Sequence, residues 1–135
     1  DLPLHYAFSD PSGRHWPKPA PTAVPGQTNW PAQLPDGRLA LIYTWRETER
    51  PGFMAVLSED DGRTWDLENQ ARLWDATGWT HIGIAQPDKY PHSHDTIAFG
   101  APTLMTTLEG DLYASWWCTY ASLTHIRWAR LRVRD

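Results

Sequence analysis

The chain has a single cysteine, Cys118, among 135 residues. That excludes an internal disulfide and leaves the compartment open. It has no apolar run near the roughly 20 residues that a membrane-spanning helix needs, so no membrane partner is expected. It has no surplus of base either: 12 Lys and Arg stand against 16 Asp and Glu, for a net charge of −4 with both signs dispersed. No electrostatic footprint for nucleic acid follows from such a balance. Uninterrupted helix-forming stretches are scarce, because 12 Pro and 9 Gly punctuate the chain every few residues. Aromatics, by contrast, are plentiful, with 9 Trp, 5 Tyr and 3 Phe. Aromatic runs between turn residues predict many short strands, an all-β chain. Cys118 sits inside Tyr113-Ala114-Ser115-Trp116-Trp117-Cys118 and reads as a small buried hydrophobe.

The organising stretch is Ser58-Glu59-Asp60-Asp61-Gly62-Arg63-Thr64-Trp65, of the form S-x-D-x-G-x-T-W. The short Asp60 carboxylate can accept N–H groups of its own turn. Gly62 permits the positive φ of a tight turn. The Ser58 and Thr64 hydroxyls can satisfy further turn groups, and the Trp65 ring can fold back over the turn. This pattern resembles the Asp-box of the sialidase superfamily, the β-propellers also called BNR-repeat proteins. The resemblance implies a structural role for the motif. In that superfamily it joins the third and fourth strands of a blade, on the side away from the active site.

A worn copy, Ser9-Asp10-Pro11-Ser12-Gly13-Arg14-His15-Trp16, keeps Ser9, Gly13 and Trp16 and follows a short strand at Leu4–Phe8. Its 49-residue offset from Ser58 suits one four-stranded blade with loops, and such a period points to a propeller. Residues 1–27 are then the end of one blade, with its Pro-rich part an irregular outer strand. Residues 28–76 form a complete blade, with strands expected at Trp30–Leu34, Leu39–Trp45, Phe53–Leu57 and Ala71–Trp74. The pattern restarts with Ala101–Met105, Leu112–Cys118 and His125–Val133, so residues 100–135 form a last blade lacking its fourth strand. The offset from Leu39 to Leu112 is 73, which leaves residues 77–99 as an inter-blade insertion. A closed ring needs at least about four blades. The expected fold is a fragment of a β-propeller, six-bladed by the resemblance, whose N-terminal blades are missing partners of the same chain.

Three stretches fall on the loops that line the functional face in propellers of this kind. The first holds Arg46, Glu47 and Arg50. The second is the insertion, with Trp79, His81, Lys89, Tyr90, His92, His94 and Asp95. The third runs from Tyr120 to His125. Sialidases clamp the substrate carboxylate with three arginines, since a guanidinium fork meets a carboxylate bidentately. Arg50, eight residues before Ser58, occupies a place similar to the third of them; the alternative is a solvated arginine paired with Glu47 or Glu49. Arg46, Tyr90, His94 and Trp79 join Arg50 as candidate substrate-binding residues, with Trp79 as a stacking platform.

The family's nucleophile is a tyrosine, outside the usual two-carboxylate scheme, and counting back nine from Gly110 to its place reaches Ala101. Tyr120 or Tyr90 would have to substitute from another loop, and Asp95 or Glu47 could serve as general acid. The catalytic candidates are therefore Asp95, Tyr120 and Glu47. His92-Ser93-His94 is too slight a pattern for a metal centre, and neither metal nor cofactor is called for. The function expected is that of a sialidase-like glycan-processing propeller, a glycoside hydrolase of non-standard specificity acting on a carbohydrate or glycoconjugate. The alternative is a non-catalytic carbohydrate-binding or protein-interaction propeller.

Overall fold

The computed structural model describes residues 3–46, 48–77, 98–120 and 123–133. The described residues form nine strands and no helix. In chain order these are β1 (Pro3–Tyr6), β2 (Ala20–Pro25), β3 (Asn29–Gln33), β4 (Leu39–Trp45), β5 (Gly52–Ser58), β6 (Ala71–Asp75), β7 (Phe99–Thr106), β8 (Asp111–Tyr120) and β9 (Leu123–Arg132). They make three antiparallel sheets, β1-β2, β3-β4-β5-β6 and β7-β8-β9, in which every strand pairs with its neighbour in sequence. The described residues are all-β, as the composition predicts.

The middle sheet is apolar on both faces because it is covered on both. Ala40 pairs with Leu57, Ile42 with Ala55 and Thr44 with Phe53; Leu41 pairs with Val56 and Tyr43 with Met54. Successive residues point to opposite faces, so these pairs divide into two sets. The set with Ala40, Ile42 and Phe53 packs on Leu104, Leu112, Ala114, Trp116 and Cys118 of the third sheet. The set with Leu41, Tyr43, Met54 and Val56 packs on Leu4 and Val24 of the first. Two-sided burial removes the polar alternation of a half-exposed sheet, which is why Leu39–Trp45 reads as a continuous apolar run.

Aromatic rings hold the middle and third sheets together. The fully buried Phe53 lies 5.1 Å from Trp116, 5.4 Å from Phe99 and 6.0 Å from Trp74, measured between ring centroids. Truncating so enclosed a ring costs about 3–5 kcal/mol. Beside it, Gly52 allows a close approach. A Cβ there would stand 2.0 Å from the Trp74 carbonyl oxygen, and the β5–β6 register shifts at Phe53/Met54.

Several boundaries depart from the expectation. The Pro-rich outer strand begins only at Ala20, and β7 starts at Phe99, two residues early. That start is irregular: Ala101 has φ of 46°, and the β7–β8 register shifts between Gly100 and Thr103. The expected loop from Tyr120 to His125 is mostly strand. Tyr120 pairs with Leu123, and the Thr119 and Thr124 hydroxyls meet at 2.7 Å. Cross-strand pairing carries β8 and β9 almost to their connection at residues 121–122.

Candidate functional site

Each strand of the middle and third sheets runs between two ends of the molecule, and the described candidate residues separate between them. The Asp60 turn, the turn before Arg38 and the Thr107–Gly110 turn share one end. Arg46, Arg50, Asp75, Phe99 and Tyr120 share the other, as the starts of β5, β7 and β9 and the ends of β4, β6 and β8 require. Arg50 and Asp60 flank β5 at opposite ends.

At the Asp60 end the S-x-D-x-G-x-T-W stretch closes on itself. The buried Ser58 Oγ accepts the Gly62 N–H at 2.8 Å and donates to Asp60 Oδ1 at 2.9 Å. Asp60 Oδ1 accepts the Thr64 N–H at 2.8 Å, and Oδ2 accepts the Thr64 hydroxyl at 2.7 Å. These donors, led by the Thr64 N–H, hold the Asp60 carboxyl down at about 2. Gly62 takes φ of 82°, and a Cβ on it would stand 3.3 Å from Trp65 Cζ2, because the indole lies against the turn. Each member of the motif thus has the turn-building role its chemistry suggests.

The worn copy is a different turn. The acceptor there is Asp10, one place earlier, which takes the Ser12 hydroxyl at 2.8 Å and the Arg14 N–H at 3.2 Å. Pro11 has no carboxylate to offer at the usual place. Trp16 donates to the Gly13 carbonyl at 3.2 Å and remains largely exposed.

At the opposite end, Arg50 is exposed and its guanidinium is held by Asp75. Nε and Nη2 both donate to Asp75 Oδ2, at 3.1 and 2.6 Å. The alternative pairing with Glu47 or Glu49 missed this partner, 25 residues away at the end of β6. The other oxygen of this carboxylate is held locally: Thr77 N–H donates to Asp75 Oδ1 at 2.9 Å. Contacts from Thr77, and then from Arg50, hold the Asp75 carboxyl well below the usual range. Arg72 Nη1 in turn donates to the Arg50 carbonyl at 2.6 Å, which fixes the loop backbone.

Arg46 bridges two sheets. It donates to Gln27 Oε1 and, at 2.6 Å, to the Phe99 carbonyl. Its guanidinium carbon lies 5.2 Å from the centre of the Phe99 ring. Tyr120 ends β8, half exposed. Nearby, His125 Nε2 lies 3.4 Å from the buried Cys118 Sγ and accepts the Arg127 Nε–H at 3.2 Å. Burial pushes the Cys118 thiol up, which disfavours a nucleophilic thiolate.

The structure therefore brings Arg46, Arg50 and Tyr120 to one end. Glu47, Trp79, Tyr90, His94 and Asp95 lie outside the described residues. Among the described residues no group of three or more His, Cys, Asp or Glu could hold a metal ion. A cleft of about 740 Å³ lies not here but at the Asp60 end, between the middle sheet and β9. No family model, no curated protein and no solved structure matches the chain.

Proposed function

We propose that the three sheets are consecutive blades of a β-propeller and that the protein is a sialidase-like, glycan-processing propeller. In this reading it is a glycoside hydrolase of non-standard specificity, and its carbohydrate or glycoconjugate substrate binds at the Arg50 end. The observation that carries the reading is the polarity of β5, which has a side-chain-locked Asp60 turn at one end and Arg50 at the other. The sheets also stack the same way round. Leu41 and Tyr43 of β4 face the preceding sheet, and so do Ala114 and Trp116 of β8, each 73 residues later. Such a ring calls for further blades beyond these three sheets as partners. Arg50 would hold a substrate carboxylate, Tyr120 would be the nucleophile, and Asp95 or Glu47 would be the acid.

One observation favours the alternative of a non-catalytic carbohydrate-binding or protein-interaction propeller. Ala101 stands where the resembling family has its tyrosine nucleophile, and its methyl group cannot attack an anomeric carbon. The test is hydrolysis and binding measured together on a panel of acidic and neutral glycosides, with Tyr120→Phe beside the parent. Hydrolysis lost in the variant with binding retained supports the enzyme. Binding without hydrolysis in both supports the carbohydrate-binding alternative, and neither activity removes both glycan readings and leaves the protein-interaction one.

A further inference from the structure

The triplet Asp-Gly-Arg occurs twice, as Asp36-Gly37-Arg38 in the turn between β3 and β4 and as Asp61-Gly62-Arg63 in the turn between β5 and β6. Aspartate before glycine is open to attack on its carboxyl by the next main-chain nitrogen, because glycine has no side chain to obstruct it. The same two residues follow each aspartate, so the two bonds are alike in intrinsic reactivity. Folding decides between them.

Asp36 is gripped by its own triplet. Oδ1 accepts the Arg38 N–H at 3.0 Å, and Oδ2 accepts Arg38 Nε–H at 2.8 Å with Nη2 at 2.6 Å. Arg38 holds the Asp36 carboxyl below its ordinary range, in the ionised form that is the poorer electrophile. Asp61 is held by nothing comparable. Its side chain is 75% exposed, and Arg63 Nη1 stands 3.8 Å away, beyond hydrogen-bond reach. Arg63 turns instead to the Asp60 carbonyl at 3.3 Å and to the Phe8 ring at 5.5 Å. Asp61 also has φ of 58°, a region that residues with a Cβ seldom adopt. The glycine N–H groups do not discriminate: Gly37 donates to the Leu34 carbonyl at 3.0 Å and Gly62 to Ser58 Oγ at 2.8 Å. The freedom of the carboxyl does.

We propose that Asp61-Gly62, and not Asp36-Gly37, is a site of spontaneous isoaspartate formation in the folded protein. The Gly62 nitrogen bonds to Asp61 Cγ, and its proton leaves with the carboxyl hydroxyl as water. Water then adds to the original main-chain carbonyl of the five-membered imide and breaks that carbon's bond to the Gly62 nitrogen. The chain now runs through the Asp61 side chain, its α-carboxyl is released, and the composition is unchanged. The product has an extra main-chain carbon inside the loops closed by the Ser58–Gly62 and Asp60–Thr64 hydrogen bonds, so the turn loosens. Methyl transfer from S-adenosylmethionine to the released α-carboxylate is the class of reaction that would act on this product.

The test incubates the chain at neutral pH, native and in guanidinium chloride, and then maps its tryptic peptides. Lys18 and Arg50 precede prolines, so the two bonds fall in separate peptides, His15–Arg38 and Glu47–Arg63. An isoaspartyl peptide elutes apart at unchanged mass and accepts a methyl label from an isoaspartyl methyltransferase. Conversion at the two bonds should be alike in denaturant. In the native chain it should be about tenfold or more faster at Asp61-Gly62, since charge-assisted hydrogen bonds protect only Asp36. Arg38→Lys, which keeps the charge and the tryptic site but loses the fork, should speed conversion at Asp36-Gly37. Equal native rates at the two bonds would overturn the proposal, as would an Asp61-Gly62 that converts in denaturant and stays intact in the native chain. So would Arg38→Lys without effect.

Discussion

Arg50 and Asp75 share a single carboxylate oxygen, with Arg50 Nε and Nη2 converging on Asp75 Oδ2 at 3.1 and 2.6 Å. The guanidinium fork is thus already engaged by a carboxylate of the protein, and any acidic ligand must compete with it. Exposed pairs of this kind contribute little to stability, so the partner can be exchanged at small cost. Asp75→Asn removes the competing charge and should raise affinity for a uronic or other acidic sugar by roughly tenfold, the equivalent of about 1.4 kcal/mol. Calorimetric titration of the variant against the parent checks this.

At the opposite end of β5, Ser58→Ala should cost about 1–3 kcal/mol, because the buried Gly62 N–H loses its acceptor. Glycan affinity should be unchanged. Urea denaturation and titration on the same preparation separate the two effects.

Acid should weaken the fold through the same turn. The Asp60 carboxyl titrates at about 2 in the folded chain, below its ordinary 3.8. A depressed carboxylate stabilises the fold above the unfolded value, and that stability is lost as pH falls through the folded one. Asp75 and Asp111 shift in the same direction, the latter held mainly by Arg132 and then Arg130. The denaturation midpoint should fall between about pH 4 and pH 2, and Asp60→Asn should flatten the slope.

Alkali acts through Tyr43, a fully buried phenol that donates to Gln70 Oε1. Burial pushes it up to about 12 from 10. A folded value raised above the unfolded one gives stability that is present below pH 10 and lost as pH rises toward 12. Tyr43→Phe should therefore lose about 1 kcal/mol at neutral pH, through the missing hydrogen bond. It should also show a shallower decline above pH 10, measured by denaturant titration across that range.

How much of this was legible in the sequence depends on how local its cause is. The Ser58–Trp65 turn is built from side chains reaching no more than four residues, so its chemistry can be read directly. Leu39–Trp45 is equally plain, since a strand covered on both faces shows as an unbroken apolar run between turns. The Arg50–Asp75 pair was not legible: its partners are 25 residues apart and meet through a β5–β6 register that shifts at Phe53/Met54. Arg46 reaches the Phe99 carbonyl across 53 residues and a sheet-to-sheet contact. The start of β7 was hidden because Gly100-Ala101-Pro102 has turn-like composition, whereas the chain makes a bulge there with Ala101 at positive φ.

That bulge is itself testable. A non-glycine residue at positive φ stores roughly 1–2 kcal/mol of strain, and such strain collects at functional sites. Ala101→Gly should stabilise the fold by up to about 1 kcal/mol, whereas Ala101→Val should destabilise it. Denaturant midpoints of the two variants, moving in opposite directions, check the assignment.

In the proposed function the Arg50 end of β5 binds an acidic glycan and the Asp60 end only builds the turn. The most direct measurement is acidic-glycan affinity of Arg50→Lys and Ser58→Ala against the parent, each with its melting temperature. Lysine keeps the charge but loses the bidentate fork. Arg50→Lys should lose about tenfold or more in affinity with an unchanged melting temperature, while Ser58→Ala melts lower and binds normally. Unaltered affinity in Arg50→Lys, or binding lost in Ser58→Ala at an unchanged melting temperature, would contradict the assignment of the two ends.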